Sequence, residues 1–498
     1  MRRAPHLGRN VRIATAVAAA ALAMLACSES RPESAASQAG SKPNIVILLA
    51  DDLGFHDVGF HGGSVPTPHI DRIAREGVEL DRFYVAPVCS PTRAGLMTGR
   101  YPIRYGLMRA VIPPWRDFGL DRSEVTLPEV LAKAGYEHRA IFGKWHLGHS
   151  KIKYHPQRRG FTEFVGHYNG AIDFFTHARE GELDWHNGYE ASHEQGYSTD
   201  LIAGHATRFI REHAGDDSPF LLYVPFNAVH APFQAKPEDL AKYENLAPVG
   251  GRPEPEQTPQ MLKNRRILGA MNEALDQAVG QILGALDETG VSDDTLVWFF
   301  SDNGGVGGIG DNAPLRGQKA SVWEGGIRVA SAVRWPEGGI AGGRKIGAPL
   351  VNVDILPTLM RVAGLEDHGG KPLDGIDALD VMRGKAAGSP RDVYSFIGQQ
   401  SEDDEQVAVI EPEWKLVVRG APIAGPRAAP EKARKFLFRI VDDPNEENDL
   451  AAQHPNIVER LMRKAIEFRS LQPPNPVPVY SQGREGFHAP PEWKIPDS

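Results

Sequence analysis

Apolar runs of strand length recur along the chain, and each gives way abruptly to polar residues. Residues 44–50 lead into Asp51-Asp52, residues 138–142 into Gly143-Lys144-Trp145-His146, residues 220–226 into a turn carrying His230, and residues 296–300 into Asp302-Asn303. Unbroken Val/Ile/Leu/Phe runs suit strands covered on both faces in a largely parallel sheet. Open sheets of that kind bind their ligands beyond the carboxyl ends of the strands. Four polar clusters far apart in sequence are therefore expected to meet at one site.

Between the runs the apolar period becomes helical. Thr126 is placed to cap a helix over residues 127–134, with Pro128 in its first turn and Gly135 as its stop. Over residues 265–288, Ile267, Leu268, Met271, Leu275, Val279, Ile282 and Leu286 share one stripe, which should cover a sheet face. The expected fold class is α/β: a large mixed, mostly parallel sheet sandwiched by helices, spanning residues 43–389. Past about residue 390 the pattern shifts to short strands at 406–410, 415–418 and 436–441, followed by an amphipathic helix at 455–468. This predicts a small C-terminal antiparallel sheet with a helix, residues 390–472, and a Pro-rich tail over 473–498.

The first residues look like an address rather than a fold. Arg2, Arg3, Arg9 and Arg12 precede an apolar run from Ile13 to Ala26 that ends in small residues, so residues 1–26 are expected to be a signal peptide. The run is short for a membrane span. Cys27 follows it and opens a Ser/Ala/Glu-rich stretch to residue 42, an arrangement similar to a bacterial lipoprotein signal with a lipidated cysteine and a flexible tether. The expected destination is outside the cytoplasm, periplasmic or anchored at the outer membrane. An ordinary cleaved signal remains the alternative.

Composition narrows the class. With 41% hydrophobic and 24% charged residues among 498, the chain can build a large core, and 52 Gly with 39 Pro imply many loops. Of the two cysteines only Cys89 lies in the folded part, so no disulfide can form within it. Losing the four leader arginines moves the formal charge from −9 to −13, which disfavours nucleic acid as a partner. An anionic substrate would need a local cationic pocket.

Asp51, Asp52, Asp302 and Asn303 are hard oxygen donors, better suited to calcium or magnesium than to zinc or copper. Taken singly, Asp-Asp-Leu-Gly and Ser-Asp-Asn-Gly-Gly could be plain turns. At two strand ends together they point to a metal. Cys89 opens Cys89-Ser90-Pro91-Thr92-Arg93, where Pro91 is suited to start a helix whose free amides favour an anion. A buried thiol is often only a small hydrophobe. A thiolate is also a soft companion for hard donors.

The Cys-x-Pro-Ser/Thr-Arg stretch from Cys89 to Arg93, with the helix that follows, resembles the signature of the type I, formylglycine-dependent sulfatases of the alkaline phosphatase superfamily. Further segments share the likeness: Asp51-Asp52-Leu53-Gly54, Gly143-Lys144-Trp145-His146-Leu147-Gly148, Val229-His230-Ala231-Pro232, Ser301-Asp302-Asn303-Gly304-Gly305 and Pro314-Leu315-Arg316-Gly317-Gln318-Lys319. The likeness runs from Pro43 to about Gly364, and is closest to the arylsulfatase B, or N-acetylgalactosamine-4-sulfatase, kind. Trp323 and Glu324 fall within it and are expected to support the Lys319 loop.

The resemblance implies an alkaline-phosphatase-like fold and a sulfatase catalytic domain, with one Ca²⁺ held by Asp51, Asp52, Asp302, Asn303 and residue 89. It implies that a formylglycine-generating enzyme oxidises Cys89, and that a hydroxyl of the hydrated aldehyde attacks sulfur with help from Asp302. Arg93 would then neutralise the carboxylates, Lys144 and Lys319 hold the sulfate oxygens, His230 with Lys319 protonate the leaving oxygen, and His146 take the proton that expels sulfate. The expected substrate is a sulfated carbohydrate such as a 4-sulfated N-acetylgalactosamine of a chondroitin-like glycan. Residues 104–122 and 161–190, rich in aromatic and charged side chains, are the candidate loops for gripping the sugar. Two rivals stay open: a phosphate or phosphonate ester hydrolase of the same superfamily, and a sulfoglycan-binding lipoprotein whose Cys89 is never oxidised.

Overall fold

Residues Ile45, Ile47 and Leu49 of the first strand face one hydrophobic layer, and Val46, Leu48 and Ala50 face another. This is the arrangement expected of a run apolar at every position. The computed structural model describes residues 42–250, 257–388, 390–401 and 403–496. The expected signal, Cys27 and the tether up to residue 41 lie outside the described residues.

The strand Asn44–Ala50 sits centrally in a ten-stranded mixed sheet. It pairs in parallel with Phe220–Pro225 on one side and Thr295–Ser301 on the other, and His138–Lys144 pairs in parallel beyond Phe220–Pro225. Short strands finish both edges, some of them antiparallel, such as Ser331–Arg334 against Thr295–Ser301. Among the helices on the first layer are Cys89–Thr98, Leu127–Lys133 and Ile355–Val362; Pro68–Glu76, Ser198–His213 and Pro259–Glu288 cover the second. Each fully buried Val, Leu, Ile or Phe in these layers contributes about 1.5–3 kcal/mol through burial. No helix of the described residues is long and apolar enough to cross a membrane.

Local chemistry sets the helix ends. Leu127–Lys133 begins at a capping box in which Thr126 and Glu129 satisfy each other's backbone amides, and Gly135 follows with a positive φ of 84°. The long helix starts at Pro259 rather than near residue 265, because Thr258 caps it by accepting from the Met261 amide. The strand His138–Lys144 also outruns its apolar stretch, ending at Lys144 instead of residue 142. That extension fixes the direction of the Lys144 side chain.

The small sheet is antiparallel in the order Val393–Ile397, Gln406–Ile410, Trp414–Arg419, Arg434–Arg439. Its first strand was not legible in the pattern. One face carries Val407, Val409, Leu416 and Leu437 beneath the helix Pro455–Arg469. The other carries Ala408, Val417 and Phe438 against Val88, Cys89, Val322 and Trp323. The small sheet therefore backs the segments holding Cys89 and Lys319. Residues 473–496 run back over the large unit, where Val477, Trp493 and Ile495 join its core.

Candidate active site

Register alone brings the acidic motifs together. Ala50 lies beside Ser301 on adjacent parallel strands, so Asp51 and Asp302 leave the sheet side by side at its carboxyl edge. Lys144 ends a third strand of the same sheet, and His230 lies just beyond a fourth. Cys89 is the first residue of the helix Cys89–Thr98, two positions before Pro91. The described residues thus place Asp51, Asp52, Cys89, Arg93, Lys144, His146, His230, Asp302, Asn303 and Lys319 around one centre.

Charges alternate closely there. The Lys144 Nζ lies 2.5 Å from Asp51 Oδ2, and Arg93 donates from Nη2 and Nε to Asp302 Oδ2 at 2.8 and 3.1 Å. A third donor of Arg93, Nη1, reaches the Lys144 carbonyl at 2.8 Å, which ties the cysteine helix to the strand end. Lys319 Nζ stands 2.6 Å from Asp52 Oδ1 and 3.7 Å from Cys89 Sγ, and the thiol lies 3.5 Å from Asp51 Oδ1. His230 Nε2 is 3.5 Å from Asp52 Oδ2. Asp52 and His146 both hold positive φ, 62° and 57°, strain of the kind that clusters at functional sites. Gly170 lets the His146 ring lie flat against the backbone, since a Cβ there would come within 2.4 Å of it.

Burial and charge separate the titrations of the site. Burial pushes Asp51 up to about 7, with Asp302 adding to the rise and Lys144 opposing it. Burial also acts upward on Asp52, but Lys319 and then His230 outweigh it and hold that carboxyl well below its usual range. The Cys89 thiol is driven far up by burial and by Asp302, so as a thiol it is inert. His146 and His230 are both held neutral, first by burial and next by their lysine neighbours.

The donor set fits a hard divalent cation. Asp51, Asp52, Cys89 and His230 each offer a ligand atom within 4.8 Å of the others. Asn303 donates its amide hydrogens to Asp52 and Gly304 and leaves Oδ1 buried without a partner. An acceptor left in that state costs about 1–3 kcal/mol unless something positive meets it. Asp51, raised first by burial and next by Asp302, is a second group that a bound cation would relieve.

The centre opens into a cavity of about 380 Å³, within the range of small-ligand sites. Its floor includes Cys89, His146, His230 and Lys319; its walls include Val111 to Pro114, Gly170, Ala171, Arg179, Gln399 and Tyr480. Both loops expected to grip a sugar thus contribute. Gln399 and Tyr480, from the C-terminal part, carried no motif and were missed. His56, His61 and His69 lie elsewhere: His56 pairs with Asp311 and His61 with Glu79, while the His69 amide bonds Asp276.

The chain matches the sulfatase family model over residues 43–365. It is 30% identical to arylsulfatase J of Mus musculus over 90% of this chain and 79% of that one, and 34% identical to the N-acetylgalactosamine-6-sulfatase of Mus musculus over 70% and 67%. Among solved structures it is similar to Ps i-CgsB, determined alone and with k-i-k-neocarrahexaose, at 27% identity and a TM-score of 0.77, covering 89% of this chain and 96% of that one. Hard donors, buried cations and an inert cysteine gathered at one sheet edge, together with these likenesses, show that this chain belongs to the sulfatase family of sulfuric ester hydrolases.

Proposed function

We propose that the protein removes sulfate from a sulfated carbohydrate, using a formylglycine made from Cys89 and a Ca²⁺ ion held by Asp51, Asp52, Asp302, Asn303 and residue 89. The observation that carries this reading is the meeting of Cys89, as a thiol held protonated, with Asp51, Asp52 and Asp302 and with the cations Arg93, Lys144 and Lys319, at a cavity that Cys89 and Lys319 line. The thiol cannot attack. Its oxidation by a formylglycine-generating enzyme replaces a soft sulfur with a hydrated aldehyde that supplies two oxygens, one of them the nucleophile. The ion supplies Lewis acidity at that oxygen and at the sulfate.

The chain's own groups do the rest. Lys144 and Lys319 present two ammonium groups to a sulfate and stabilise the charge spreading over its oxygens. Arg93, wholly buried and bonded to Asp302, keeps the carboxylates aligned. His230, which lines the cavity, donates from Nδ1 to the Ala231 carbonyl and keeps Nε2 beside Asp52 Oδ2, at 3.5 Å. A bound sulfate offsets the Lys319 charge, lets Nε2 take up a proton, and readies it for the leaving oxygen. His146 donates from Nε2 to the Ile112 carbonyl at 3.0 Å and leaves Nδ1 buried and unpartnered, the acceptor needed for the proton whose removal releases sulfate.

A carbohydrate substrate is supported by the relative solved with a neocarrahexaose. The expected 4-sulfated N-acetylgalactosamine is tested beside its 6-sulfated isomer, because a relative is named for the 6-position. Turnover of an aryl sulfate against the matching phosphate and phosphonate esters is the first experiment. Sulfate is expected to be preferred; preference for phosphorus overturns the reading.

Metal removal gives a second test. Chelation should lower the melting temperature, and re-addition of Ca²⁺ at a hundredfold excess over its Kd should restore about 2.7 kcal/mol of stability. Asp51→Asn should abolish that response. Thermal stability indifferent to both chelator and Ca²⁺ counts against the metal.

A further inference from the structure

The sulfate-facing floor does not account for Arg179, on the short strand Ala178–Arg179 in the cavity wall. Its main chain is pinned, since the buried Trp493 donates from Nε1 to the Arg179 carbonyl at 3.0 Å. Its guanidinium is not pinned. Nε is buried with no hydrogen-bond partner, and the ion pair from Nη2 to Glu180 Oε1 is long, at 3.5 Å. Five donors in a rigid fork, served by one loose neighbour, are suited to a planar or tetrahedral oxyanion gripped by two parallel bonds.

Building on the sulfatase reading, we propose that Arg179 recognises a second anionic group on the substrate, so that the enzyme selects saccharides carrying another oxyanion besides the scissile sulfate. Gln399 and Tyr480 line the same wall and offer neutral hydrogen bonds to sugar hydroxyls. The second anion is either a uronate carboxylate or another sulfate, both of which accept bidentate bonds from arginine. The net negative charge of the chain makes a cation in this wall selective for a second anion.

The test compares kcat/KM on monosulfated hexosamines, disulfated hexosamines, and uronate-containing disaccharides bearing one sulfate, each in 4- and 6-sulfated forms, with 4-nitrophenyl sulfate alongside. The full-length enzyme is expected to prefer one doubly anionic class at least tenfold over the singly charged saccharide, and the class preferred identifies the second oxyanion. In Arg179→Ala that ratio falls at least tenfold, chiefly through KM. In Arg179→Lys, which keeps the charge but loses the fork, part of the ratio returns. Equal activity on singly and doubly charged saccharides, or a ratio unchanged in Arg179→Ala with an unaltered melting temperature, overturns the proposal. Hydrolysis of 4-nitrophenyl sulfate without any doubly anionic preference rejects the role of Arg179 and leaves the sulfatase reading standing. Failure on every sulfate ester rejects both.

Discussion

Replacing Cys89 with alanine is expected to lower kcat/KM on any sulfate ester by at least about 10⁴-fold, the scale seen when a nucleophile is removed from a catalytic unit. Cys89 stands within 3.5 Å of an Asp51 oxygen and 3.7 Å of the Lys319 ammonium, and no serine or threonine joins it among the cavity-lining residues described. No neighbour can take its place. The stability cost should be small, about 1 kcal/mol for a change on the scale of one buried methylene. Melting temperature should therefore hardly move while turnover vanishes. A variant retaining a hundredth of the activity would sink the nucleophile assignment. So would an intact-mass measurement showing that residue 89 of the active wild-type enzyme still carries its sulfur.

The site was more legible than the fold around it, for a physical reason. Strand runs such as 45–50 are apolar at every position, and their ends are marked by residues that cannot be buried without partners, so Asp51, Lys144 and Asp302 announce themselves. The same rule hides the wall of the cavity. Arg179, Gln399 and Tyr480 each come from irregular segments with no periodicity, and nothing local distinguishes Arg179 from a solvated surface arginine. The tail misleads in the opposite direction. Its prolines suggest a loose end, yet Val477 and Trp493 each enter the core singly, held by contacts of high sequence separation that no window reveals. The strand Val393–Ile397 fails as a prediction because its partner strand, not its own alternation, defines it.

Replacing Lys415 with methionine is expected to cost about 3–5 kcal/mol in chemical denaturation, the scale of stranding a buried charge. The residue lies on the face of the small sheet turned toward the catalytic unit, fully buried, with Nζ 2.8 Å from both Glu324 Oε1 and Glu446 Oε1. Around it the network closes on the Lys319 loop. Glu446 Oε2 accepts from the Glu324 amide, the Glu446 carbonyl accepts from Arg316, and Arg316 stacks 3.9 Å from the Trp323 ring. The expected support from Trp323 and Glu324 thus reaches the small sheet through Lys415. Loosening it should displace Lys319 and lower kcat by about 10²-fold, as small misplacements of catalytic groups do, and Lys415→Arg should recover part of both losses. The pH dependence separates a charge effect from simple packing. In the wild type burial, with Glu324 adding, already lifts Glu446 to about 7, while Lys415 opposes the rise. Without Lys415, Glu446 moves further above its unfolded value, and Glu324, which against burial Lys415 and then Arg328 hold below its usual range, is released upward. Groups raised in this way favour the folded state below the unfolded value, and that advantage is lost as pH climbs through the folded one. The deficit relative to wild type should accordingly be greatest near pH 8 and shrink toward pH 5, and adding Glu446→Gln to the variant should reduce it. A deficit of the same size at every pH would mean that Lys415 acts by filling space rather than by its charge.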